Sequence, residues 1–170
     1  MDKQLSLYAQ HTQHNRSIIS IHVDGAARGN PGPAGAGVHV VFPDGSTIKK
    51  GIFLGEKTNN QAEYLALALA LFYVNASCRE QNITQPHLSI FSDSELMIKQ
   101  MRGEYKIKNE ILVHLKKTID TLVRHCVCRF THILREKNSE ADALANVGVD
   151  KKHKMPVAFI KLLSDNGLSI

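Results

Sequence analysis

The sequence predicts an α/β domain built on one five-stranded mixed sheet with helices on both faces. Two features lead there. Three β-rich runs before residue 57 are joined by a Gly/Pro-dense stretch and a short turn, and from residue 58 onward helical and strand-like segments alternate. Closely linked strands form an antiparallel meander, whereas strands reached through a helical crossover lie parallel.

The first strand is Ile18 to Val23, with Ile19, Ile21 and Val23 on one face, and it stops at Asp24-Gly25. Ala26 to Gly37 is dense in Gly and Pro and reads as a loop. Val38 to Phe42 and Thr47 to Leu54 follow as short strands around the turn Pro43-Asp44-Gly45-Ser46. Ala62 to Val74, rich in Ala and Leu, is the first helix, with Thr58 or Asn59 as its cap. His87 to Phe91 is a compact apolar strand, and Glu95 to Met101 is helical up to Gly103. Asn109 to Arg124 carries Ile111, Leu112, Leu115, Ile119 and Leu122 at helical spacing. Val127 to Leu134 is the last strand, and Asn138 or Ser139 caps a helix running toward Gly148. The order is β-β-β-α-β-α-α-β-α. Residues 1–17 read as a loose extension, 18–149 as the domain, and 150–170 as a tail whose apolar patch, Val157 to Leu163, either docks or forms a short helix.

The 170 residues, 43% apolar and 22% charged, fit one soluble domain and exclude a disordered, collagenous or large multidomain chain. A chain of this size buries roughly two thirds of its unfolded surface, so no disulfide or structural metal is required to hold a core. The net charge of +5 favours a polyanionic partner. Cys78, Cys126 and Cys128 lack metal-ligand spacing and read as buried free thiols of a reducing, cytoplasmic setting. Neither a membrane span nor a hydrophobic signal region is expected, since the most apolar stretch, Tyr64 to Val74, falls far short of the ~20 residues a span requires.

Four acids occupy positions where a purely structural chain would prefer other residues: Asp24, Glu63, Asp93 and Asp142. Asp24 and Asp93 close apolar strands expected at the sheet centre, where ligand sites of open α/β sheets gather. Glu63 starts an otherwise apolar helix, and Asp142 sits in the first turns of the last one. Each alone has an ordinary explanation as a cap or a dipole partner. Together they would repel one another unless neutralised, and a donor set of carboxylates without Cys or His suits Mg²⁺ or Mn²⁺ better than zinc.

VDGAARGNPGPAGAG at 23–37, TNNQAEYLAL at 58–67, FSDSELMIKQMRGEYKIKNE at 91–110 and REKNSEADALAN at 135–146 occur in the order found in type 1 ribonucleases H, and the chain resembles that family. The resemblance implies a ribonuclease H-like fold and an endonuclease that cuts the RNA strand of an RNA/DNA hybrid, with the four acids holding two Mg²⁺ ions and Mn²⁺ as a substitute. Once metal and phosphodiester are granted, two ions about 3.5–4 Å apart would activate a water and stabilise the leaving 3′ oxygen, giving 5′-phosphate and 3′-hydroxyl ends. Asp24 would bridge both ions beside Asp93, with Glu63 toward the leaving group and Asp142 toward the nucleophile.

Amides both donate and accept, which suits reading a 2′-hydroxyl, and Asn30, Asn59 and Asn60 match the family's binding positions. Thr58 matches a position that grips a DNA-strand phosphate. Arg28, Lys99, Arg102, Lys106 and Lys108 are candidates for backbone contacts. Three departures from the family pattern stand out. Glu95 replaces a groove-reading glutamine, only Gly103 to Lys108 stands where several members carry a basic insertion, and no histidine occupies the loop before Asp142. His132 falls inside the last strand, so Arg135 takes that loop, where it could orient phosphate or product. These departures leave a catalytically weak hybrid-binding module as the alternative to an active enzyme. The expected partner is an RNA/DNA hybrid and no membrane, with the chain monomeric unless the tail mediates a dimer or a protein contact.

Overall fold

The computed structural model describes residues 18–169; the N-terminal extension expected at 1–17 lies outside the described residues. The elements are β1 (Ile18–Ala27), β2 (Gly32–Val41), β3 (Thr47–Lys57), α1 (Asn59–Glu80), β4 (His87–Ser92), α2 (Glu95–Met101), α3 (Glu110–Leu122), β5 (Val127–His132), a 3₁₀ turn (Arg135–Lys137), α4 (Ser139–Lys151) and α5 (Val157–Asp165). The five strands form one sheet in the order β3-β2-β1-β4-β5. The β1–β2 and β2–β3 pairs are antiparallel, and β4 runs parallel to both β1 and β5. The mixed sheet and the two helix-covered faces agree with the fold class the sequence predicts.

On one face α1 lies against β1 and β2, with α3 stacked behind it. Tyr64 through Leu71 are all buried, so α1 is apolar around its whole circumference and is sandwiched between sheet and helix. On the other face α4 covers β1, β2 and β3. The tail contributes α5, whose Phe159 and Leu163 are fully buried in the core beside α1 and α3.

The sequence reading fails most clearly in the Gly/Pro run. β1 does not stop at Asp24-Gly25 but continues to Ala27, and β2 already begins at Gly32, with Asp24 opposite Gly37 and Ala27 opposite Ala34. The glycines are strand residues because α4 rests directly on them. A Cβ at Gly37 would collide with the Ala141 carbonyl oxygen, and one at Gly35 would come within 2.7 Å of the Val149 nitrogen. Gly148 does not end α4; it packs against the Ile52 backbone, and the helix runs on until Lys152 turns left-handed at φ 50°. Of the three thiols only Cys78 is buried; Cys126 and Cys128 are half-buried, and all three are free. His22 and His39 pair across β1 and β2, and His22 stacks on Phe91 at 4.8 Å. Among the described residues no helix is long and apolar enough to cross a membrane.

Gly37→Ala must push α4 off the sheet. The expected loss is about 2 kcal/mol or more of unfolding free energy in urea melts, and an unchanged midpoint would contradict the backbone contact.

Candidate active site

The site forms at the ends of the two central parallel strands. His22 of β1 pairs with Phe91 of β4, so two residues further on stand Asp24, within β1, and Asp93, just past the end of β4. Asp24 is only 9% exposed, while Asp93, Glu63 and Asp142 are half-buried. All four line one cavity of about 370 Å³, together with Arg28, Asn59, Arg135 and Asn146. A larger concavity of about 560 Å³ lies at the opposite end of the sheet, around Ile19 and His87, and its lining includes one acid, Asp44. The four acids therefore gather at the smaller cavity, not the larger one.

Two helices bring their acids in by direct backbone packing. Thr58 caps α1 through a reciprocal pair, its Oγ1 accepting from the Gln61 N–H at 3.2 Å and its own N–H donating to Gln61 Oε1 at 2.9 Å. Just inside that cap, α1 crosses Gly25, where a Cβ would overlap the Glu63 nitrogen. This contact places Glu63 beside Asp24. The first turn of α4, seated on Gly37, carries Asp142 from the other side of the sheet.

Each outer carboxylate has its own partner. Ser94 Oγ donates to Glu63 Oε2 at 2.5 Å, Asn138 Nδ2 donates to Asp93 Oδ1 at 3.0 Å, and Arg135 pairs with Asp142 at 2.7 Å. Asp24 accepts from the Gly25 backbone N–H. Its carboxyl is nonetheless pushed up to about 7, first by burial and then by the charges of Asp93, Asp142 and Glu63. Burial also raises Glu63 to about 6, against the opposing hydrogen bond from Ser94. The four acids thus form one electrostatic unit. As they are placed, no group of three or more His, Cys, Asp or Glu side chains among the described residues is disposed to hold a metal ion. The chemistry of the donor set still fits a hard divalent cation: it is all carboxylate oxygen and mutually repulsive, and Asp142 is paired with an arginine that is itself exposed.

A second, polar concavity of about 230 Å³ is lined by Asn30, Thr58, Asn60, Gln61, Asn109 and Leu112. It adjoins the first through Asn59, whose N–H donates to Asn30 Oδ1 at 3.1 Å. Glu95 lines neither concavity; it turns to Lys99 at 2.7 Å, which holds its carboxyl below the usual range. Arg28 pairs with Asp150 at 2.5 Å, and Arg102 donates to the Phe130 carbonyl at 2.6 and 2.9 Å. His132 ends β5 and is exposed, outside the carboxylate cavity. Sequence reasoning missed Asn109, Asn146 and the side-chain role of Asn138. Asn109 was readable as the start of α3 and Asn138 as a cap, but nothing local signals that either faces a site.

The profile of the reverse transcriptase-like family matches residues 22–148. A ribonuclease HI of Halobacterium salinarum is 35% identical over 134 residues, covering 78% of this chain and 64% of the relative. A ribonuclease H of Alcanivorax borkumensis is 32% identical, covering 80% of this chain and 95% of the relative. The solved structure of LC11-RNase H1 in complex with an RNA/DNA hybrid is similar at 40% identity and a TM-score of 0.72, covering 78% of this chain and 97% of that one. The chain thus spans 64% of the length of the haloarchaeal relative and 35% of a bifunctional protein of Mycobacterium tuberculosis that it also matches.

The electrostatics predict how stability responds to pH when cations are chelated. An acid raised in the folded state from 3.8 to about 7 keeps its proton when folded but loses it when unfolded, so stability falls as pH rises across that window. Unfolding free energy in EDTA should drop by about 4 kcal/mol, or roughly 10 °C in melting temperature, between the lower and upper ends of the window. Asp24→Asn should flatten most of the drop; a wild-type melting temperature that is level or rising would contradict the coupled site.

Proposed function

The chain belongs to the type 1 ribonuclease H family, among the reverse transcriptase-like domains, and from that premise we propose that it hydrolyses the RNA strand of RNA/DNA hybrids as an endonuclease. The observation that carries the reading is the convergence of Asp24, Glu63, Asp93 and Asp142 on one cavity at the ends of the central strands. Asp24, Glu63, Asp93 and Asp142 are the residues that would hold two divalent cations, Mg²⁺ first and Mn²⁺ as substitute. Bound there, such ions supply Lewis-acid stabilisation of the phosphodiester and lower the pKa of an attacking water.

The chain's own groups do the rest. The raised proton affinity of Asp24 lets it bind a proton when the site is empty of cations and surrender it when they bind. Arg135 must let go of Asp142, and its guanidinium, fully charged at neutral pH, is then available to a phosphate oxygen or to the departing product. Asn59 at the carboxylate cavity, with Asn30 and Asn60 at the second concavity, presents amides to the 2′-hydroxyls of a shallow minor groove. Thr58 and the neighbouring Asn109 offer polar atoms to a phosphate of the DNA strand. Glu95, engaged with Lys99, makes no favourable contact with a polyanion. The catalytic unit is assigned to residues 18–149, with α5 of the tail docked on its core. The +5 charge favours salt-dependent binding to a polyanion, and the short 102–109 crossing leaves fewer cationic groups for phosphate contacts and so weaker binding.

Cleavage of an end-labelled RNA/DNA hybrid in Mg²⁺ tests the reading. Wild type should release internal fragments with 5′-phosphate and 3′-hydroxyl ends. Asp24→Asn should lower kcat about a thousandfold, equivalent to roughly 4 kcal/mol of transition-state stabilisation. Hybrid binding without turnover in Mg²⁺ or Mn²⁺ would instead assign a binding module, and equal rates in the two proteins would overturn the site.

A further inference from the structure

Asn138 immediately precedes α4 and is 1% exposed. Asparagine at such a position ordinarily caps the helix with its side chain, yet no side-chain cap bond is made here. The amide is used elsewhere. Nδ2 donates to the Val23 carbonyl at 3.0 Å and to Asp93 Oδ1 at 3.0 Å. Both partners only accept, so both amide hydrogens are committed and the amide can take just one orientation. Its Oδ1 is left buried without a hydrogen-bond partner. The residue thus gives up a cap and leaves an acceptor unsatisfied while both its donors go to the Val23 carbonyl and the Asp93 carboxylate. Its backbone carbonyl meanwhile accepts from the Asp142 N–H at 3.0 Å. One residue therefore reaches the strand segment next to Asp24, the carboxylate of Asp93 and the backbone of Asp142.

We propose that Asn138 is a positioning residue: its amide fixes the Asp93 carboxylate through Oδ1, leaving Oδ2 outside that bond for a divalent cation, and locks the start of α4 to the ends of the central strands. The inference rests on the reading of Asp93 as a cation-holding carboxylate. A neutral donor suits the task, because it orients a carboxylate without adding a positive charge that would compete with the cation. A carboxylate at residue 138 would fill the same volume but present only acceptors to Asp93 and to the Val23 carbonyl.

Two measurements test it. In the ¹⁵N-labelled wild-type protein without substrate, the Asn138 side-chain amide resonances should shift on Mg²⁺ titration and saturate together with the Asp93 backbone amide; resonances that stay still while the protein binds Mg²⁺ would overturn the proposal, and this readout needs no variant to fold. In Asn138→Ala, kcat on the hybrid should fall about 10-fold to 100-fold and the half-saturating Mg²⁺ concentration should rise about tenfold, with hybrid KM within about twofold. Asn138→Asp, which adds repulsion, should be worse on both counts. A folded variant whose kcat and Mg²⁺ affinity stay within about twofold of wild type, with only melting temperature reduced, would reduce Asn138 to a structural tie. If the wild type itself neither binds Mg²⁺ nor cleaves the hybrid, the carboxylate reading fails and takes this inference with it; if the wild type does both and the variants match it, only the role of Asn138 fails.

Discussion

Asp24 is 9% exposed with three other carboxylates around it, and the repulsion that helps push its proton affinity up to about 7 is a standing cost the fold has to resist. A loosely built site would relieve that repulsion by moving apart. Here it cannot, because the acids ride on elements in backbone contact: α1 presses on Gly25 of β1, and α4 presses on Gly35 and Gly37 of β2. The glycines that look like loop punctuation in the sequence are what allow two helices from opposite faces to deliver carboxylates to one point. Packing elsewhere, including the buried apolar run Tyr64 to Leu71 of α1, supplies the favourable burial that offsets the strain of collecting like charges.

The three outer carboxylates are held by three different kinds of donor, and the differences matter chemically. Glu63 has a serine hydroxyl and Asp93 an asparagine amide, both neutral, so each is oriented without being neutralised. Asp142 has the guanidinium of Arg135, whose side chain is 76% exposed. An ion pair that open to water contributes little and breaks easily. The arrangement therefore holds two carboxylates through neutral donors from buried residues and one through an exposed ion pair.

Much of this was legible in the sequence, for physical reasons that differ from residue to residue. Asp24 and Asp93 were recognisable because each was expected to close an apolar strand at the sheet centre, and Glu63 and Asp142 because each lies near the start of a helix among apolar residues. The parallel pairing of β1 with β4 followed from the intervening crossover of α1. The start of β2 was not legible, since a strand whose partner is a helix backbone has lost the alternating side chains that mark strands. The roles of Asn138 and Asn109 were hidden for a different cause: both sit at helix starts, where asparagine is the ordinary choice, and only the fold reveals that one reaches Asp93 and the other lines a polar concavity. The pairing of Glu95 with Lys99 is a plain i, i+4 helix contact, a spacing the sequence itself carries.

The coupling of the four carboxylates to a divalent cation is most directly measured as proton release, by calorimetric titration of Mg²⁺ in several buffers of different ionisation enthalpy at neutral pH. With the Asp24 carboxyl pushed up to about 7, binding should expel a measurable fraction of a proton from wild type and distinctly less from Asp24→Asn, in which Glu63 remains to titrate. Cation binding with no proton released, or with the same release from both proteins, would contradict the account.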